Sequence, residues 1–209
     1  MKPEASGGTL RSQRQPQRAV NPPAASGAHL PGNLRRFRLQ GGLTLDQLAE
    51  RSGVSRAMIS KVERGVSVPT ATVLGRLAAA LRLSLSQLIG QAHAREPRLL
   101  ARSEQLVFRD PETGFERRSL SPLFADGAVD VAFNVLPAGR AAAFPAHHTG
   151  VEEYLVVHEG ILTVLIDESP FTVAAGDSLF YPSDRSHEFR NETDRPVSFY
   201  IVIDDRSKR

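Results

Sequence analysis

Between Leu43 and Gly65 the chain reads LTLDQLAERSGVSRAMISKVERG, a stretch that leaves its backbone few alternatives. Thr44 is placed to cap a helix, with Gln47 three residues on as its capping-box partner. Leu45, Leu48 and Ala49 then share one face at helical spacing. Gly53 sits where that helix has to stop, because a left-handed backbone costs glycine least. Ser55 opens a second helix whose inner face is Met58, Ile59 and Val62, and Gly65 ends it. The small Ala49 lets the second helix cross closely over the first. Two short capped helices joined by a tight turn are the expectation.

That geometry is a helix-turn-helix, which lays its second helix in the major groove of DNA. The outward side chains of the second helix are Arg56, Ala57, Ser60, Lys61 and Arg64. Arg and Ser can bond base edges and Ala can touch a thymine methyl. Lys61 and Arg64 suit phosphates, where long cations set position rather than sequence. Gln47, near the first helix's N-terminus, suits a phosphate beside free backbone N–H groups. Ser55 completes the DNA-binding set. Residues 30–90 resemble the Xre/Cro-type repressor domain, a compact five-helix fold. The resemblance rests on the stretch above, on its Ile59-Ser60-Lys61-Val62-Glu63-Arg64-Gly65 ending, and on PTATVLGRLAAALRLSLSQLI after it. It implies base contacts from Arg56, Ala57 and Ser60. It also implies a structural Glu63 paired with a nearby Arg, either Arg35 or Arg38.

Charge divides the chain in the same way. Residues 1–92 carry a net +9 and residues 93–209 a net −6. A basic first part followed by an acidic second part puts nucleic acid at one end only. Cysteine is absent, which excludes a disulfide framework, a cysteine zinc finger and thiolate catalysis. No apolar run approaches the length of a membrane span, and no charged start precedes an apolar segment. The expected location is cytoplasmic, with no membrane partner.

Residues 1–28 are rich in Pro, Gly, Ser, Ala, Gln and Arg without apolar period, and read as a disordered basic tail. A helical pattern near Leu34 follows and ends at Gly41-Gly42. Beyond the helix-turn-helix, Thr70 caps a helix to Leu81, and Ser84 with Gln87 boxes a short one to Ile89. The expected DNA-binding domain spans 29–91, with a polar, charged linker over 92–104.

From about Leu106 the apolar period changes from helical to alternating. Strands are predicted over 105–109, 115–120, 129–136, 152–158, 161–166, 171–174, 178–181, 187–191 and 197–203, separated by Gly/Pro turns. Many short strands with such turns predict a β-sandwich or jelly-roll barrel over 105–209. The fold class is therefore α + β in two domains.

Two clusters in this second domain resemble the cupin motifs. Gly176, Pro182, His187 and Asn191 stand in register with the second motif, with Asp184 replacing its middle glycine. Glu153 and Gly160 fit the second half of the first motif, His147-His148-Thr149-Gly150-Val151-Glu152-Glu153 onward. Its histidine pair does not fit, so only one histidine holds its expected place. The resemblance implies a double-stranded β-helix barrel. The candidate metal ligands are His148 (or His147), Glu153 and His187. Two imidazoles and a carboxylate can hold Fe, Mn, Zn or Ni with open positions, and can equally bond an organic acid. Alternation and motif position give a candidate ligand pocket of Phe133, His148, Glu153, Tyr181, His187 and Tyr200.

The combined expectation is a non-enzymatic transcription regulator. It reads double-stranded operator DNA as a homodimer, and its cupin domain senses a small-molecule effector. Two alternatives are a cupin metalloenzyme, of isomerase or dioxygenase type, with an added DNA-binding domain, and an antitoxin-type autoregulator.

Overall fold

The structure, a computed structural model, describes residues 29–91, 96–124 and 127–208. The expected basic tail over 1–28 lies outside the described residues, as do linker residues 92–95.

The first region is five helices: α1 (Leu30–Gln40), α2 (Leu45–Ser52), α3 (Arg56–Glu63), α4 (Ala71–Ala80) and α5 (Leu85–Ile89). The first begins earlier than the apolar period suggested, with Pro at its first turn, where a missing N–H costs nothing. Both halves of the Thr44–Gln47 capping box form, at 3.1 and 2.9 Å. Gly53 adopts φ 65°. The Ser55 hydroxyl accepts from the Met58 amide at 3.2 Å. Leu34, Leu48, Ile59, Val62, Leu74 and Leu77 are fully buried between the helices. One ion pair holds α3 in place. Arg38 donates to both oxygens of Glu63, at 2.7 and 3.0 Å, and to the Leu43 carbonyl at 2.8 Å. Of the two arginines expected as partners, Arg38 takes this role. Asn33 of α1 reaches the far end of the domain, donating to the carbonyls of Leu88 and Gly90 at 3.1 and 2.6 Å.

The second region is ten strands: β1 (Val107–Arg109), β2 (Glu116–Ser119), β3 (Val129–Leu136), β4 (Ala141–Phe144), β5 (Val151–Glu159), β6 (Ile161–Ile166), β7 (Ser169–Ala174), β8 (Ser178–Pro182), β9 (His187–Arg190) and β10 (Val197–Asp205). They form a six-stranded sheet, β1-β2-β3-β10-β5-β8, facing a four-stranded sheet, β4-β9-β6-β7. Every pairing is antiparallel. Leu155, Phe199, Phe189, Leu162 and Val164 fill the space between the sheets. β4 lies outside the strands that alternation predicts. Its AAAF carries no alternation, and its strand character comes from pairing with β9.

The two regions touch directly. The Ala71 amide at the start of α4 donates to Asp110 in the β1–β2 turn. The Thr72 hydroxyl donates to the Ala143 carbonyl at 3.0 Å. Ser119 and Ser86 bond hydroxyl to hydroxyl at 2.9 Å, both buried. Gly75 lets α4 lie on Phe144 and Pro145, each 3.2 Å from where a Cβ would sit. The stretch expected as linker is partly structured, with a 3-10 turn at Arg102–Glu104.

Candidate functional site

The first candidate surface is α3. Gln47, Ser55, Arg56, Ala57, Lys61 and Arg64 are exposed and Ser60 is half-buried. Arg56, Ala57, Ser60, Lys61 and Arg64 line one open groove together with Leu45. The buried side of the same helix is Ile59 and Val62, so the polar face is fixed in direction by the packing behind it. Some of these groups have prior engagements. Arg56 Nε lies 3.2 Å from Asp46 Oδ1, both well exposed. The Arg64 Nε donates to the Ser60 carbonyl at 3.2 Å. Gln47 spends its carbonyl oxygen on the capping box, while its NH2 takes no part in it.

The second candidate is inside the barrel. Glu153 on β5 is buried, and three side chains converge on it. His147 Nε2 lies 3.1 Å from Oε1 and His187 Nε2 3.7 Å from Oε2. The Tyr181 hydroxyl, from the neighbouring strand β8, donates to Oε2. Burial alone would push the Glu153 carboxyl up. The attraction of His187, the hydrogen bond and charge of His147 and the Tyr181 hydroxyl outweigh it, and the carboxyl falls to about 2. Tyr181 moves the other way, well above its ordinary value, through burial and then through the charge of Glu153.

The donor atoms of His147, Glu153 and His187 all lie within 4.8 Å of one another. His187 Nδ1 is 3.2 Å from the Arg185 carbonyl oxygen. A carbonyl only accepts, so Nδ1 carries the proton and a neutral ring presents a bare Nε2. That lone pair faces a carboxylate oxygen, an arrangement that needs a cation between them, either a proton or a metal ion. Two nitrogens and a carboxylate suit a divalent transition metal, and an outer carbonyl orienting the imidazole is the usual support for one. The residues present therefore fit the group.

Three sequence assignments are corrected here. His148 does not join the cluster; its Nε2 bonds Asp205 Oδ1 at 3.0 Å and Ser207 Oγ at 3.1 Å. Neighbouring side chains in an extended segment point in opposite directions, so only one of the adjacent histidines can face Glu153, and that one is His147. Phe133 and Tyr200 are not in the pocket either. They pair across β3 and β10, with ring centroids 5.0 Å apart, on the outer face of the six-stranded sheet. The reason lies in β3. Its apolar phase, Val129, Val131, Phe133 and Val135, faces out, while Asp130, Ala132, Asn134 and Leu136 are buried. Glu153, Tyr181 and His187 do come together.

Sequence reasoning missed Arg117 and Asp130, which form a buried ion pair at 3.1 Å on the inner wall, and Asn134 beside them. Asn191 proves structural: its amide donates to the Leu136 and Arg195 carbonyls at 3.0 and 2.7 Å.

An exposed reading helix with a packed back, joined to a cupin-type barrel, defines a DNA-binding transcriptional regulator. Comparison with known proteins agrees. The Helix-turn-helix family matches residues 34–88 and the Cupin domain family residues 133–203. An HTH_3 family transcriptional regulator from Vibrio cholerae has a crystal structure that superposes with TM-score 0.70 at 30% identity, over 85% of this chain and 96% of that one. The HTH-type transcriptional regulator SutR of Escherichia coli is 29% identical over 180 residues, 83% of this chain and 93% of that protein. SlrR of Bacillus subtilis is 39% identical over 56 residues, 26% of this chain and 37% of that one. The chain belongs to the HTH_3 family of transcriptional regulators and carries a cupin domain. Among the described residues no helix is long and apolar enough to cross a membrane.

Proposed function

We propose that residues 29–91 read an operator while residues 105–209 sense a small effector, with α3 as the reading element. In this reading Arg56, Ala57 and Ser60 meet base edges. Gln47, Ser55, Lys61 and Arg64 hold phosphates. The barrel cluster of His147, Glu153 and His187 would hold a divalent ion, which when bound supplies a Lewis-acidic anchor for an effector's oxygen. Tyr181 would fix the Glu153 carboxylate in position. The protein would work in the cytoplasm, where its DNA is.

The observation that carries the sensor reading is the physical link between cluster and helices. Phe144 stacks on His187, centroids 5.8 Å apart and 20° between planes. The same ring supports Gly75 of α4. A ligand that moves His187 would press on a helix of the DNA-binding domain. Turnover is not part of the proposal. A carboxyl lowered to about 2 is a poor general base near neutrality, where the best catalytic bases titrate close to the working pH.

A homodimer is also proposed, through the outer face of the six-stranded sheet. Tyr154, Val156, Phe180 and Tyr200 are 39, 41, 51 and 38% exposed there. Contiguous apolar surface of this kind marks an interaction site. A two-fold partner of the same chain would give two reading helices for a palindromic operator. The test is an operator titration with and without cell extract, in wild type and Glu153→Ala, alongside native mass spectrometry with metal analysis. An extract response that is lost in Glu153→Ala, from a metal-bearing dimer, supports the reading. An equal response in both proteins sinks the sensing role of the cluster.

A further inference from the structure

The inner wall between β2 and β3 holds polar groups that nothing in the regulator reading uses. Asn134 is fully buried and Arg117 nearly so. They face each other across the two strands as register partners. Arg117 donates one guanidinium N–H to Asp130 at 3.1 Å. Its Nε has no hydrogen-bond partner among the described residues, and neither does either polar atom of the Asn134 amide. Buried polar groups in native proteins are satisfied in the great majority of cases, and an exception calls for an explanation. Here the exceptions are neighbours. They lie on the inner wall of the barrel that also holds Tyr181, whose hydroxyl feels the charge of Arg117.

We infer that Arg117 and Asn134 form a subsite for a small carboxylate that carries a hydroxyl or amino group on the adjoining carbon. This rests on the barrel being the sensing domain, and it names the effector's chemistry. The orphaned set is two donors, Arg117 Nε–H and the Asn134 NH2, and one acceptor, the Asn134 carbonyl oxygen. A carboxylate accepts from both donors, and its charge suits a guanidinium that cannot lose its proton. A neighbouring O–H or N–H donates to the remaining oxygen. Because both Asn134 atoms are unpaired, the orientation of the amide does not alter the match. A dianion such as phosphate fits less well, since Asp130 already neutralises Arg117 and Glu153 adds a second carboxylate to the same interior.

The experiment uses the full chain and three probes of one size: lactate, propionate and lactamide. Binding is read by calorimetry and by thermal shift. Lactate is expected to bind about tenfold or more tighter than lactamide, which lacks the charge. It should also bind several-fold tighter than propionate, which lacks the hydroxyl. Asn134→Leu is expected to melt at or above wild type without ligand, because it removes two unpaired polar atoms from the core. It should also bind lactate no better than propionate, because the oxygen that accepts from the hydroxyl is gone. Arg117→Lys keeps a cation opposite Asp130 and loses the Nε donor, and should weaken the two carboxylates, lactate and propionate, more than lactamide. A ligand-free Asn134→Leu that melts below wild type would show a structural, water-bonded asparagine and overturn the proposal. So would lactate that binds no better than lactamide in wild type. If the proposal falls while cell extract still alters operator affinity through Glu153, the sensor reading stands. If extract has no effect either, both fall together.

Discussion

The outward face of α3 and the inward wall of the barrel solve opposite problems with the same residue types. On α3, Arg56, Lys61 and Arg64 stand in water. Their contacts, Arg56 with Asp46 and Arg64 with the Ser60 carbonyl, are exposed to solvent, so each can be changed with little effect on the fold. In the barrel, Glu153, His187, Arg117 and Asp130 are removed from water. There a charge is tolerated only with a partner, and losing the partner exposes the full cost of burial. Change at the helix is thus separable from stability, while change in the barrel is tied to it.

The largest expected effect breaks this division inside the helical domain itself. Arg38 and Glu63 form a pair whose side chains are only 10 and 9% exposed. Glu63→Ala leaves the guanidinium unpaired and should cost about 3–5 kcal/mol, measured by urea unfolding. Operator binding should be lost with it, while the sheet signal in circular dichroism persists. A Glu63→Ala protein that unfolds like wild type would show that α3 is held by its apolar face alone.

Next comes acid. The Glu153 carboxyl titrates at about 2 in the fold against an ordinary 4.5. A depressed value stabilises the protein above the unfolded value and loses that stabilisation as pH falls through the folded one. Metal-free wild type should therefore lose about 3 kcal/mol from this group between pH near 4.5 and 2. Glu153→Gln should lack that portion of the acid dependence. Parallel curves for the two proteins would mean that the carboxylate has no net attraction to its histidines.

On the helix the effects are smaller and change recognition rather than stability. Arg56→Ala should cost about 1–3 kcal/mol of discrimination between operator and random duplex, if its guanidinium leaves Asp46 for a base edge. Lys61→Ala should weaken both duplexes alike and reduce the salt dependence. Melting temperatures of both variants should stay near wild type. Equal loss on both duplexes for Arg56→Ala would remove it from base reading.

The smallest effect separates two adjacent histidines. His147→Ala should lower metal content and blunt any effector response. His148→Ala should lose about 1 kcal/mol at most, from its bonds to Asp205 and Ser207, and should keep its metal. Metal analysis of the two purified variants decides between them, and the reverse outcome would return His148 to the site.

How much could be read in advance follows from the range of the forces involved. The helical domain was legible because its signals are local. A cap, its box partner and a glycine with φ 65° act within a few residues of one another. The barrel's existence was legible from alternation, and Glu153, Tyr181 and His187 from motif spacing. Its facing was not. In β3 the apolar phase pointed to Phe133 as an inward residue, and the structure turns it outward. Alternation reveals that two faces exist, and burying the more apolar one is only the usual outcome.

The amino-acid sequence by itself determined the five helices, the caps of the last four, the polar face of α3, the strand-rich second region and two of the three members of the metal-type cluster. Only the tertiary structure decided that His147 rather than His148 meets Glu153, that Arg38 rather than Arg35 holds Glu63, and that Arg117, Asp130 and Asn134 share one dry wall. The reason is physical. Caps and turns are settled by contacts a few residues long. Which of two neighbouring side chains enters a barrel depends on strand register, set by pairing residues far apart in the chain, as Arg117 and Asn134 or Glu153 and Tyr181 are.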